Sequence, residues 1–203
     1  MQLQFLNQQV VEQALSMPDL EVTLYSNLFD LEEAERLFQD LSQTICWSQE
    51  TITLFGKPHL VPRLVAWYGD RGKVYTYSGV THQPHPWTET LLTIKDRVEA
   101  ISQTAFNSVL LNLYRNGQDS MGWHSDDEPE LGPAPVIASV SLGGTRRFHL
   151  RHRYRKEFRT AIDLTDGSFL LMKSPTQQFW QHQIPKTRRP VEPRINLTFR
   201  TIV

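Results

Sequence analysis

Asn112-Leu113-Tyr114-Arg115-Asn116-Gly117-Gln118-Asp119-Ser120-Met121-Gly122-Trp123-His124-Ser125-Asp126 is the stretch on which the reading of this chain turns. It opens in an extended run, Ser108 to Arg115, breaks at Asn116-Gly117, and closes on His124-x-Asp126. Two residues apart on extended chain, an imidazole and a carboxylate point the same way, so together they can give a metal two ligands. A third ligand has to come from far along the chain. His182, just past the aromatic pair Phe179-Trp180, is the candidate.

A second unusual strand lies close to His182. In Arg194-Ile195-Asn196-Leu197-Thr198-Phe199-Arg200 the polar residues Arg194, Asn196, Thr198 and Arg200 share one face, and the apolar residues share the other. A half-buried strand with a wet face reads this way. So does a strand whose two guanidinium forks bind a dianion next to a metal, because Arg grips carboxylates bidentately. Asn112 and Tyr114 also share a face and could donate to the same ligand. Two His and one carboxylate are the ligand set of non-haem iron(II) oxygenases, which leaves three metal positions open. Zinc is the rival, although hydrolytic zinc sites more often add a third His or a nearby Glu.

Outward from these strands the pattern is mostly short and β-like. After Ser108 come Val136–Leu142 and Arg146–Arg151 about Gly143-Gly144-Thr145, then Phe158–Leu164 and Ser168–Met172 about Asp166-Gly167. Both pairs read as hairpins. Gln178–Ile184 and Arg194–Val203 complete the set. Upstream, Asp30 reads as an N-cap with Glu33 as its capping-box partner, and apolar residues at helical spacing predict a helix over about 31–43. Leu91, Ile94, Val98 and Ile101 predict a second over about 87–103. Residues 1–29 show no clean period, apart from a turn at Met17-Pro18-Asp19. Between the helices, Thr51–Phe55 ends abruptly at Gly56-Lys57-Pro58, so Phe55 sits at a hairpin tip as a buried anchor or an exposed wedge. Val74–Ser78 places Tyr75 and Tyr77 on one strand face. Two helices followed by a run of strands predict an α+β, mainly β chain with a sandwich or jelly-roll core.

The bulk numbers fit one globular domain: 39% hydrophobic and 21% charged residues over 203 positions. No apolar run is long enough to cross a bilayer, and the first residues lack a secretory pattern. The lone Cys46 cannot form an internal disulfide, which suits a reducing cytosol. An intracellular, cytoplasmic (or, in a eukaryote, nuclear) monomer with no membrane partner is expected. The net charge of −1 hides an asymmetry: residues 1–143 carry 8 Lys and Arg against 18 Asp and Glu, whereas 144–203 carry 13 against 4. A basic segment suggests an anionic partner, nucleic acid among others, although solvated charges on unrelated strands give the same count.

Taken together, N-L-Y, W-H-S-D-D-E, I-A-S-V-S-L-G-G, His182 and R-I-N-L-T-F-R occur in an order that resembles the AlkB family of Fe(II)/2-oxoglutarate dioxygenases, from about Leu54 to Arg200. The resemblance implies a double-stranded β-helix (jelly-roll) core over about 108–203, preceded by N-terminal helices and a nucleotide-recognition lid over about 1–107. It implies Fe(II) on His124, Asp126 and His182, with O2 as cosubstrate. It implies 2-oxoglutarate on Asn112, Tyr114, Arg194, Asn196, Thr198 and Arg200, with Arg194 at its distal carboxylate and Arg200 at its chelating end. F-G-K-P-H-L-V-P-R followed by Y-G-D…Y-T-Y-S-G is most similar to the duplex-DNA repair branch, though Pro58 stands where that branch often carries an aromatic. By that resemblance Phe55 enters the base stack, Tyr77 stacks on the flipped base opposite His124, and Tyr75 lines its pocket. Asp127 approaches the base with Glu128 beside it. Lys57, Arg63 and Ser78 belong to the same recognition surface, and Lys186, Arg188 and Arg189 touch phosphates. The implied activity is oxidative demethylation of 1-methyladenine- and 3-methylcytosine-type lesions in alkylated DNA, duplex or single-stranded. RNA or a protein side chain is the alternative substrate.

Overall fold

In the computed structural model the described residues are 10–54, 57–72, 75–77 and 80–203, with the side chains of 52–54, 75–77 and 80–82 left aside. They form two facing antiparallel sheets, two small hairpins and two long helices. The larger sheet runs β1 (Val11–Met17), β2 (Leu20–Ser26), β13 (Ser168–Lys173), β10 (Ile137–Gly143), β15 (Arg194–Arg200), β8 (Ser108–Tyr114), β5 (Leu64–Gly69). The smaller runs β12 (Arg159–Leu164), β11 (Arg146–His152), β14 (Trp180–Ile184), β9 (Met121–His124). The hairpins are β3 (Thr51–Leu54) with β4 (Lys57–Leu60), and β6 (Tyr75–Tyr77) with β7 (Val80–His82). Among the described residues no helix is long and apolar enough to cross a membrane.

Strand alternation sorts the core into two layers. Val109, Leu111, Ala138, Val140, Leu142, Ile195, Leu197 and Phe199 face outward from the larger sheet, under the helices. Leu20, Val22, Leu24, Ile137, Leu170 and Met172 face inward, onto Phe148, Leu150, Trp180 and Ile184 of the smaller sheet. The outer layer is closed by α1 (Leu31–Thr44) and α2 (Glu89–Ser102), which bury Ala34, Leu41, Leu91, Ile94 and Val98. Both helices begin where a side chain takes up an orphan amide. Asp30 Oδ1 accepts from Glu33 N at 2.8 Å, and Thr88 Oγ1 from Leu91 N at 3.3 Å. The second cap puts the start of α2 two residues later than the expected Trp87. The helices are clamped together by Arg97 on Glu33, at 2.6 and 2.9 Å.

Three expectations need correction. Gly143-Gly144-Thr145 and Asp166-Gly167 do not close hairpins: each carries the chain from one sheet to the other. Both edges of β10 are already taken, by β13 (Ile137 opposite Met172) and by β15 (Val140 opposite Leu197), and β13 is likewise held between β10 and β2. The corners also approach other backbone too closely for a side chain. A Cβ on Gly144 would lie 2.1 Å from Glu192 O, and one on Gly167 2.2 Å from Phe29 O. Next, the aperiodic N-terminus holds the β1–β2 hairpin, whose turn is the expected Met17-Pro18-Asp19, and β2 pairs with β13. With β5 in the same sheet, the larger sheet does not respect a division near residue 108. Last, the strand expected from Gln178 begins at Trp180, after a single helical turn over Thr176–Phe179.

Candidate active site

The metal-ligand candidates meet because of strand register. His182 on β14 is directly opposite His124 on β9, and Asp126 follows two residues after His124. One ligand atom from each of the three lies within 4.8 Å of the others. The imidazole rings stand 4.2 Å apart at 65°. Asp126 and His182 are buried. The segment between is pinned: Ser125 Oγ donates to Trp180 O at 2.8 Å, and Asp126 N donates to Gln177 Oε1 at 3.0 Å. His124 Nδ1 faces Gly122 O at 2.9 Å, which leaves Nε2 for a metal.

The protonation states suit a cation. Burial would raise the Asp126 carboxyl, but Arg200, His182 and His124 outweigh it and hold its pKa below the ordinary value. Arg200 Nη2 donates to Asp126 Oδ1 at 2.5 Å, while Oδ2 stands 3.7 Å from His182 Nε2. Burial, then the neighbouring His124, lowers the His182 pKa to about 3, so the ring is neutral, the form that ligates. Two neutral imidazoles and one carboxylate on one side of a site make a facial set that fits iron(II).

Beside the trio a cavity of about 50 Å³ is lined by all six residues expected to hold a dicarboxylate: Asn112, Tyr114, Arg194, Asn196, Thr198 and Arg200. Register again explains the convergence, because Arg194 is opposite Tyr114 and Asn196 opposite Asn112. Asn196 Nδ2 donates to Ser139 Oγ at 2.8 Å, and Thr198 Oγ1 to Asn196 Oδ1 at 3.1 Å. Arg194 is the telling residue. Only 1% exposed, it donates from Nη2 to Ser141 Oγ at 2.8 Å, while Nε and Nη1 are buried with no acceptor. Burial lowers its pKa to about 10, so it stays cationic at neutral pH. A buried guanidinium with two donors to spare fits one carboxylate of a small diacid such as 2-oxoglutarate.

A second cavity, of about 170 Å³, shares Arg63, Leu110, Met121, His124, Asp126 and Arg200 with the first. It extends past Cys46, Ser48, Glu50, Gln83, His85 and Glu128. Of the residues expected to touch substrate, Arg63 and Glu128 line it, and Arg63 Nε also donates to Asn112 Oδ1 at 2.6 Å. Asp127 does not: it is exposed and ion-paired with Arg153 Nη2 at 2.5 Å. Lys186, Arg188 and Arg189 are exposed on the loop after β14, and Lys57 is exposed on β4. That loop is held by Thr187 N, which donates to Gly117 O at 2.8 Å, and by buried Arg146, whose Nη2 donates to Pro185 O at 2.7 Å. Phe55 and Ser78 lie outside the described residues, as do the side chains of Tyr75 and Tyr77. Sequence reasoning missed Cys46, Ser48, Glu50, Gln83 and His85, which come from separate segments with no shared motif.

The model of the 2OG-Fe(II) oxygenase superfamily matches residues 21–200. The chain belongs to that superfamily and, within it, to the AlkB family. It is 44% identical over 190 residues to the human alpha-ketoglutarate-dependent dioxygenase alkB homolog 3, covering 89% of this chain and 66% of that protein, so it spans just under two thirds of that relative. It is 42% identical over 189 residues to the mouse DNA oxidative demethylase ALKBH2, covering 88% and 79%. The solved structure of OsALKBH1 superposes with a TM-score of 0.66 at 18% identity, over 94% of this chain and all of that one, a likeness of fold.

Proposed function

We propose that this protein demethylates N-alkylated bases of the 1-methyladenine and 3-methylcytosine type in DNA. With iron(II) as the catalytic metal, 2-oxoglutarate and O2 would be consumed, and formaldehyde, succinate and CO2 released. The observation that carries the reading is the pair of cavities meeting at His124, Asp126 and Arg200, a small one with an unsatisfied guanidinium and a larger one that could admit a base. When bound, iron with 2-oxoglutarate and O2 supplies the oxidising power that hydroxylates an N-methyl group, which then leaves as formaldehyde.

The chain's own residues hold and exclude. Arg194 takes the far carboxylate of the diacid, with Asn112 and Tyr114 donating beside it. Arg200 holds Asp126 Oδ1 and so turns Oδ2 toward the metal position. Met121, Leu110 and Phe148 line the small cavity with apolar surface and limit water, which keeps the oxidant off other targets. Base and metal can meet only if the base leaves the duplex, and a lesion that cannot pair lowers that cost. Lys186, Arg188 and Arg189 would meet phosphates. The names of the mouse and human relatives support a dioxygenase of this kind, and the mouse name supports DNA as substrate. An activity on DNA places the protein inside the cell.

The test is formaldehyde or succinate release from methylated DNA, methylated RNA and a methylated peptide, each with and without iron(II) and 2-oxoglutarate. Release from DNA that needs both is expected. Release from RNA or peptide alone would replace the DNA reading.

A further inference from the structure

Asp126 lies beyond the last residue of β9, so the pairing that sets His124 opposite His182 does not reach it. Two contacts from other elements place it instead. Arg200 on β15 takes the carboxylate at Oδ1, and Gln177 takes the backbone, its Oε1 accepting from Asp126 N at 3.0 Å. Gln177 is only 1% exposed, yet it lines neither cavity. Its amide is engaged at both ends. Nε2 donates to Met172 Sδ at 3.5 Å, a weak acceptor on a side chain that does line the smaller cavity. A backbone N–H needs an oxygen opposite it, so the amide has one orientation here.

Gln177 is itself held. It sits in the helical turn Thr176–Phe179, and Thr176 is locked to β2, its Oγ1 accepting from Glu21 N at 2.9 Å and donating to Glu21 O at 3.1 Å. The contacts then close a ring. Gln177 holds Asp126 N, Ser125 Oγ donates to Trp180 O at 2.8 Å, and Trp180 N donates back to Thr176 O. His182 stands two residues past Trp180 on the same strand. A closed ring of this kind fixes the backbone of one metal-ligand candidate relative to the strand that carries another. The bond from Arg200 cannot do this alone, because it fixes a carboxylate oxygen and leaves the Cα free to swing about it.

We propose that Gln177 is a positioning residue for the metal: it holds the backbone of Asp126 and so aims the carboxylate at the point that His124 and His182 share. This rests on the metal reading of the trio above. Binding of manganese(II) to the substrate-free protein, followed by the EPR signal of the free ion, tests it. Gln177→Met, of similar size but with no acceptor oxygen, should weaken manganese(II) binding about tenfold, as loss of the outer partner of a metal ligand does. Gln177→Asn keeps the amide but falls short of Asp126 N, and should lose as much. Gln177→Glu keeps an oxygen facing Asp126 N, and should retain most of the affinity. The Kd of 2-oxoglutarate at saturating manganese(II) should stay as in the wild type for all three. A Gln177 that only supports the fold would lower the melting temperature of Gln177→Met and leave its manganese(II) affinity unchanged, and that result would overturn the proposal. So would an equal loss in Gln177→Glu, which would make packing the cause, or a matching loss of 2-oxoglutarate affinity, which would mean a general collapse of the site. A wild type that binds no divalent metal would overturn this role and the function proposed above together. Because the readout needs no substrate, a wild type that binds manganese(II) but demethylates nothing would overturn that function alone.

Discussion

Replacing Arg194 with Met should separate the stability of the protein from its grip on 2-oxoglutarate. Arg194 is a buried cation with two donors unsatisfied and a pKa pulled from 12.5 to about 10. Each factor of ten in proton affinity is worth about 1.4 kcal/mol, so burial disfavours the charged form by about 3 kcal/mol. The sign follows from the depressed pKa of a base: the group is cationic in both states at neutral pH, the cost is present in full there, and it is relieved only as pH rises through about 10. Arg194→Met removes that cost. It also removes the bond to Ser141 Oγ and the contact with the Tyr114 ring, each worth about 1 kcal/mol. The two sides nearly cancel, so the ligand-free variant should melt within about 4 °C of the wild type. Ligand affinity should behave quite differently. A buried charge-assisted fork lost from one side costs about 3 kcal/mol or more, over a hundredfold in Kd. At a concentration a hundred times the wild-type Kd, 2-oxoglutarate adds about 2.7 kcal/mol to wild-type stability and almost nothing to the variant. Thermal melts with a redox-silent divalent metal and titrated 2-oxoglutarate read both quantities at once. A variant that melts far lower yet keeps the full ligand-induced rise would show that Arg194 is a structural cation and that the diacid sits elsewhere.

Other tests bear on the metal, the loop and the phosphates. His124→Ala, Asp126→Ala and His182→Ala should each abolish turnover and stoichiometric iron(II) binding, and iron retained by any of them, measured as metal content, would strike that residue from the ligand set. Gly117→Ala would place a Cβ 2.5 Å from Thr187 O, so it should shift the loop bearing Lys186, Arg188 and Arg189. Weaker DNA binding with unchanged 2-oxoglutarate affinity is expected, and an equal loss of both would refute a loop-specific effect. Arg188→Ala with Arg189→Ala should flatten the plot of log affinity against log salt by roughly 1 to 2, and an unchanged slope would place the phosphate contacts elsewhere.

What the sequence disclosed was whatever depends on a short period. On β15 both faces are single-purpose, so alternation alone separates Ile195, Leu197 and Phe199, in the core under the helices, from Arg194, Asn196, Thr198 and Arg200, around the cavity. His124 and Asp126 do come together as their spacing suggests, but Asp126 lies just beyond β9 and is held by Gln177 and Arg200. Sheet membership does not follow from local pattern. Gly143-Gly144-Thr145 and Asp166-Gly167 have the chemistry of tight turns, and they are tight turns. Whether a turn closes a hairpin or changes sheets depends on which edge is free, and the strands that occupy those edges lie elsewhere in the sequence. β1 escaped notice because an exposed edge strand needs no apolar period, with Val11, Glu12, Gln13 and Ala14 all open to solvent. Asp127 was expected at the base by the family resemblance, but neighbours on a chain leaving a strand diverge, and Asp127 pairs with Arg153 and does not line the cavity.

The two sheets divide the chemistry, and the division explains how a buried polar site is tolerated. A strand buried on both faces is normally apolar, because each unpaired polar group left inside costs about 1–3 kcal/mol. On β15 the inward face is polar, and its cost is met only in part locally, because Arg194 Nε and Nη1 stay without an acceptor. Ser139 and Ser141 of β10 and Asn112 of β8 lie on the flanking strands of the same sheet, where Ser139 and Ser141 accept from Asn196 and Arg194 and Asn112 lies opposite Asn196. The outward face meanwhile buries Ile195, Leu197 and Phe199. The larger sheet thus presents the residues suited to a diacid, and the smaller one presents the two imidazoles. Arg200 on β15, donating to Asp126 just beyond β9, is where the two sets touch. That single ion pair sets which carboxylate oxygen is left for a metal, so the position of β15 in the larger sheet fixes geometry at a ligand carried by the smaller one.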